Sequence, residues 1–120
     1  MPTGAHIVLH SFTGADGGNA RASLIRDAAG NLYGTTSEGG AKSSACVFAP
    51  YPSCGVVFKL SPTGTETVLY SFTGGADGGQ PAAGLIQDAA GNLYGTTLFG
   101  GYFSPTCDIG CGVVFRLAPN

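Results

Sequence analysis

Charge is what this chain has least of. Lys and Arg together number 5 and Asp and Glu 7, a net of −2, so no basic face exists to release counterions from a nucleic acid and no cationic amphipathic stretch exists for a membrane surface. Neither nucleic acid nor membrane insertion is expected. No run reaches the roughly 18 apolar residues that a membrane-spanning helix needs, and Met1-Pro2-Thr3-Gly4 does not read as a signal peptide. Tryptophan is absent, and so is the Asp-box pattern of sialidases. No Ser/His/Asp arrangement, paired-carboxylate constellation or phosphate-cradling Gly-Lys loop is recognisable, so the chain is expected not to be an enzyme and to use no cofactor.

Glycine is abundant instead, with 21 residues in 120, which leaves little room for helix. The glycines fall in a pattern. The decapeptide DAAGNLYGTT at 27–36 returns unchanged at 88–97; VLHSFTG at 8–14 is answered by VLYSFTG at 68–74, and CGVVFKL at 54–60 by CGVVFRL at 111–117. The chain is thus two copies of a unit of about 60 residues, 1–60 and 61–120, in the range where repeat architectures are expected.

Each unit reads as four short strands separated by turns. The first covers 22–27 (83–88), the second 31–36 (92–97), the third 55–60 (112–117), and an outer, fourth type 6–12 (66–72). A short Ala-rich helix over 19–29 is disfavoured because Pro81 and Gly84 fall in the equivalent segment of the second copy. The repeated Asp-Ala-Ala-Gly-Asn is a three-residue hairpin: a type I turn from Asp27 (Asp88), then Gly30 (Gly91) in the left-handed region, then Asn31 (Asn92) opening the next strand. Ser61-Pro62-Thr63-Gly64 turns the chain in the same way.

Val56-Val57-Phe58 and Ile7-Val8-Leu9 are apolar at consecutive positions, so both faces of these strands are expected to be buried. The reading is all-β, with two four-stranded antiparallel propeller-type blades, each dry on both faces; a β-sandwich is the alternative. DAAGNLYGTT, GVVFKL-SPTG and TVLYSFTGGADGG resemble the GloVer tandem repeat of bacterial surface proteins with varied C-terminal anchors. The resemblance spans nearly the whole chain. It implies an exported, surface-attached repeat protein and implies no chemistry. Only two units are present, with neither an export nor an anchor signal, so an export signal is expected to come from outside these residues.

Four cysteines in a chain this poor in charge look like crosslinks made in an oxidising, extracellular or cell-surface setting. Of the three pairings, the two local ones respect the repeat, giving Cys46 with Cys54 and Cys107 with Cys111. Zinc is disfavoured because C-x7-C and C-x3-C lack the knuckle spacing of structural sites. Asp16 and Asp77 in the two ADGG loops could offer oxygens to calcium, but neither loop has a second acid at ligand spacing, so Asp-Gly turns are expected and no metal. A histidine dyad of His6 and His10 could exist only in the first copy, since the second has Glu66 and Tyr70 there.

Two functions from different classes follow. The phase of the strands, fourth type first and third type last, leaves each end of the chain incomplete. The leading reading is therefore a non-enzymatic structural module that assembles head to tail into a ring or filament, the strand at 6–12 of one copy completing the last blade of another. The alternative is a binding module for a glycan or a surface protein. The TGADGG loop and the cysteine loop are expected on one rim, with Phe48, Tyr51, Tyr102 and Phe103 as its contact residues.

Overall fold

A computed structural model of the chain describes residues 4–43, 46 and 53–119, and every regular element among them is a β-strand. The strands are β1 (Ile25–Arg26), β2 (Leu32–Thr36), β3 (Val56–Leu60), β4 (Glu66–Ser71), β5 (Ile86–Gln87), β6 (Leu93–Thr96) and β7 (Val114–Leu117). They form two antiparallel sheets, β1-β2-β3-β4 and β5-β6-β7. The first sheet draws its fourth strand from the second sequence unit, so a sheet and a sequence unit do not share boundaries. The first-type strands, expected over six residues, keep only two paired residues each.

Turn chemistry sets the register. The amide of Gly30 donates to the Asp27 carbonyl at 3.1 Å and that of Asp27 to the Asn31 carbonyl at 3.0 Å, closing a three-residue loop with Gly30 at φ 89°. Asp88, Gly91 and Asn92 repeat this, with Gly91 at φ 91°. A side chain at such a φ meets its own carbonyl, so glycine is the low-cost occupant. The glycine of LYGTT answers to a different demand. Gly34 lies opposite Phe58 across the ladder, and a Cβ on it would come within 2.8 Å of the Phe58 ring and 2.7 Å of Leu24. Gly95 bears the same relation to Phe115 and Leu85.

The core lies where the two sheets meet. Val57, Phe72, Leu85, Leu93 and Phe99 are buried there with Cys46 and Cys54, and Ile25, Tyr33, Leu69, Phe115 and Leu117 pack against them. Leu69 has no cross-strand partner, because Val57 pairs with Tyr70 while Phe58 pairs with Val68. A bulge of this kind bends a strand and raises its local twist. The radius of gyration is 14.9 Å, against about 13.6 Å for a compact chain of this length, and the extents of 55 × 33 × 24 Å describe an elongated body.

Two expectations are corrected. Among the described residues the second sheet has three strands rather than the expected four. Residues 6–12 pair with no other strand, and Ile7, Val8 and Leu9 are 76%, 63% and 55% exposed rather than buried on both faces. Their counterparts in β4 have β3 to pair with; among the described residues nothing offers this segment a ladder. Only its end is packed, with the Phe12 ring edge-on to Phe58 at 5.0 Å.

Candidate functional site

The two copies of the GVVF strand carry the same letters in different surroundings. In the first sheet, β3 is flanked by β2 and β4, and Val57 is 0% exposed. In the second, β7 is paired among the described residues only to β6, and its equivalent residue Val114 is 81% exposed. The open edge of β7 therefore offers unpaired backbone groups and apolar side chains together. A groove of about 370 Å³ runs along that edge, walled by Val57, Tyr70, Phe72 and Asp77 on the first sheet's side and by Phe115 and Leu117 on the other.

The junctions between a fourth-type segment and the sheet that follows it are built alike. At the first, His10 Nε2 lies 2.9 Å from Asp16 Oδ2, and the same carboxylate accepts from the amide and hydroxyl of Thr13. At the second, Tyr70 takes the place of His10, its hydroxyl donating to Asp77 Oδ2 at 2.6 Å, with Thr73 in the place of Thr13. The Phe72 ring then stands against Phe115 at 5.2 Å, as Phe12 does against Phe58. These aspartates hold their own turns, as expected of Asp-Gly loops. The Thr13 amide, helped by its hydroxyl and by His10, holds the Asp16 carboxyl below its ordinary value against a burial that opposes it. Burial pushes Asp77 upward, but the bonds from Thr73 and Tyr70 outweigh it and leave this carboxyl low as well. In return the bond to Asp77 pushes the Tyr70 hydroxyl up to about 12.

Glu66, the first residue of β4, brings a second carboxylate to the first junction. Donor atoms of His10, Asp16 and Glu66 lie within 4.8 Å of one another, the arrangement among the described residues that could hold a proton or a cation. Burial first, and then the charge of Asp16, raise the Glu66 carboxyl above its ordinary value, with His10 opposing; Glu66 Oε2 is buried without a hydrogen-bond partner. His10 is thus engaged with two acids rather than forming a dyad with His6, which is exposed.

Each hairpin carries a carboxylate clasp. Asp27 Oδ1 accepts from the amides of Ala29 and Asn31 at 3.0 and 2.9 Å, and Oδ2 from Asn31 Nδ2 at 3.0 Å and the Tyr33 hydroxyl at 2.8 Å. Asp88 repeats all four bonds with Ala90, Asn92 and Tyr94. The Asn31 (Asn92) side chain, followed by the tyrosine hydroxyl, brings these carboxyls down to about 2. A cleft of 680 Å³ separates the two hairpins, and both aspartates facing it are already engaged by their own turns. Sequence reasoning missed Tyr33 and Tyr94 as clasp members; the fixed spacing of Asp and Tyr in both copies was the signal.

The disulfides are Cys46–Cys54 and Cys107–Cys111, with Cα separations of 5.4 and 5.0 Å. In each copy the TGADGG loop is tied to the cysteine loop, by Gly18 N–H to the Glu38 carbonyl at 2.9 Å in the first and by Gly79 N–H to the Phe99 carbonyl at 3.0 Å in the second. Tyr102 and Phe103 are exposed, as are Leu98 and Ile109 in the same stretch of the second copy, while Phe48 and Tyr51 lie outside the described residues. No helix among the described residues is long and apolar enough to cross a membrane. The family model of the Gloeobacter/Verrucomicrobia repeat matches residues 1–120. No curated protein and no solved structure matches.

Proposed function

The chain belongs to the Gloeobacter/Verrucomicrobia repeat family, and we propose that it is a non-enzymatic structural module whose sheets are propeller-type blades joined head to tail between copies. The observation that carries this is the contrast between Val57 at 0% and Val114 at 81% exposure. Val57 is covered because a second sheet packs on its face; Val114 lacks such a sheet, and β7 lacks a fourth strand. A second copy supplies both. Its segment 6–12 matches β4 in sequence and is itself unpaired. In the register of β3 with β4, Val8 of the incoming copy lies opposite Phe115, as Val68 lies opposite Phe58, and His10 opposite Val114, as Tyr70 lies opposite Val57. The incoming copy's first sheet then covers Val114.

Such a contact is heterologous: it closes into a ring if the rotation permits and otherwise extends as a filament. With two blades per chain, a ring in the usual range of 4 to 8 blades needs about 2 to 4 chains. The two disulfides suit an oxidising compartment, which supports an extracellular or cell-surface location. The test is to add the peptide HIVLHSF, residues 6–12, in excess to the full chain during sedimentation. Capping the assembly at one chain of 12.0 kDa with its bound peptide supports donation, and an unchanged size distribution refutes it.

A second reading is favoured by the exposed Tyr102, Phe103, Leu98 and Ile109 on the disulfide rim. Aromatics presented on crosslinked loops suit a glycan or protein partner, with assembly supplying the scaffold. Selective signals on a glycan array would support it, and their absence from both single and assembled chains would remove the glycan.

A further inference from the structure

We infer that the contact between copies is acid-favoured, with His6 of the incoming chain seated beside Asp77 and Tyr70 of the receiving chain. This rests on the strand-donation reading and adds its regulation. The geometry is visible within the chain. At the first junction, Glu66 opens β4 opposite Leu60 and brings its carboxylate to within 4.8 Å of His10 and Asp16. At the second junction Tyr70, Asp77 and Phe72 stand where His10, Asp16 and Phe12 stand at the first. The one member without a counterpart is Glu66. In the repeat its position corresponds to His6, which opens the donated segment and lies opposite Leu117 when Val8 lies opposite Phe115.

The groove along β7 has the composition this requires. Tyr70 and Asp77 line one wall and Leu117 the other, so His6 and Val8 of the incoming strand, on its inward face, would fill it. Asp77 and Tyr70 are the titratable groups facing that position, from the loop after β4 and from β4. Arg116, next to Leu117 and paired with Tyr94 across the ladder, also lines the groove, and its fixed positive charge offsets part of the pull of Asp77 on the His6 proton. His10 of the incoming strand stays with its own Asp16. One imidazole then meets one carboxylate at the junction between chains, whereas the junction within the chain has one imidazole and two.

Asp77 is anionic across the neutral range because its carboxyl is held low. Pairing with it strengthens the hold of the His6 imidazole on its proton in the assembled state; the groove opens to solvent on one side, so desolvation offsets only part of this. A group whose proton is held more tightly after association contributes fully below the histidine range, and the contribution is lost as pH rises through it. A displacement of about one unit corresponds to about a tenfold change in association constant.

The experiment is sedimentation equilibrium of the full chain at a series of pH values from about 5.5 to 8.5, with His6→Gln and His10→Gln beside it. His6 is exposed in the free chain, so His6→Gln leaves the fold intact. Association of the parent should weaken about tenfold across the series, the slope should vanish in His6→Gln, and it should persist in His10→Gln. An equal association constant at every pH, or an undiminished slope in His6→Gln, overturns the proton-sensitive contact and leaves strand donation standing. A single chain at every pH and concentration overturns both.

Discussion

Val57→Ala and Val114→Ala delete the same two methyl groups from equivalent positions, and the structure separates their consequences. Val57 is fully buried against the second sheet. At about 0.8 kcal/mol per methylene-sized group, with a cavity contribution because neighbours relax only in part, the loss is about 2 to 3 kcal/mol. For a domain of this size that lowers Tm by roughly 10 °C. Val114 is 81% exposed, so its truncation should stay within about 0.5 kcal/mol in the single chain. The assay is thermal unfolding followed by circular dichroism, under non-reducing conditions and at a concentration where sedimentation gives one chain. As concentration rises, the parent and Val57→Ala should both gain Tm from association, and Val114→Ala should gain less. Equal destabilisation of the two dilute variants would refute the assignment of Val114 to an unfilled face.

Further outcomes follow from the turns and crosslinks. Gly30→Val and Gly91→Val should each cost more than about 1 kcal/mol, since a β-branched residue at positive φ is strained; parent-like urea midpoints in both variants would count against the hairpin. Asp27 and Asp88 have folded-state values of about 2, below the ordinary 3.8. Their contribution is therefore present above the unfolded-state value and is lost as pH falls from about 4 toward 2. The double variant Asp27→Asn, Asp88→Asn should show a flatter acid limb of stability, and an unchanged limb would contradict the clasps. Spectrophotometric titration should find Tyr70 ionising near 12, a component that Asp77→Asn should abolish. Unfolded, unreduced protein should expose no reactive thiol, and peptide mapping should find Cys46 linked to Cys54 and Cys107 to Cys111.

The hairpins were legible in the sequence because their determinants are local: Asp, Gly and Asn at fixed offsets specify a turn whatever surrounds it. Burial of Val56, Val57 and Phe58 was legible for a related reason, three apolar residues in a row leaving no wet face. What stayed hidden depends on partners distant in sequence. Gly34 and Gly95 look like flexible points in a strand until the facing phenyl rings are seen above them. The cluster of His10, Asp16 and Glu66 joins Glu66 to residues 50 and 56 positions before it. Val57 and Val114 share one sequence context, and only topology distinguishes them. The segment 6–12 has the composition of a strand, yet composition supplies no partner, and the chain leaves it unpaired.

Hydrogen exchange read by mass spectrometry across a concentration series tests strand donation most directly. The account predicts that amides of residues 7–11 exchange at the rate of an open chain when dilute and become protected as concentration rises, together with the free edge of β7 (Val114–Leu117) and in step with the increase in mass. Residues 7–11 exchanging freely at every concentration, while particles larger than 12.0 kDa form, would show that the copies associate by some other surface and would contradict it.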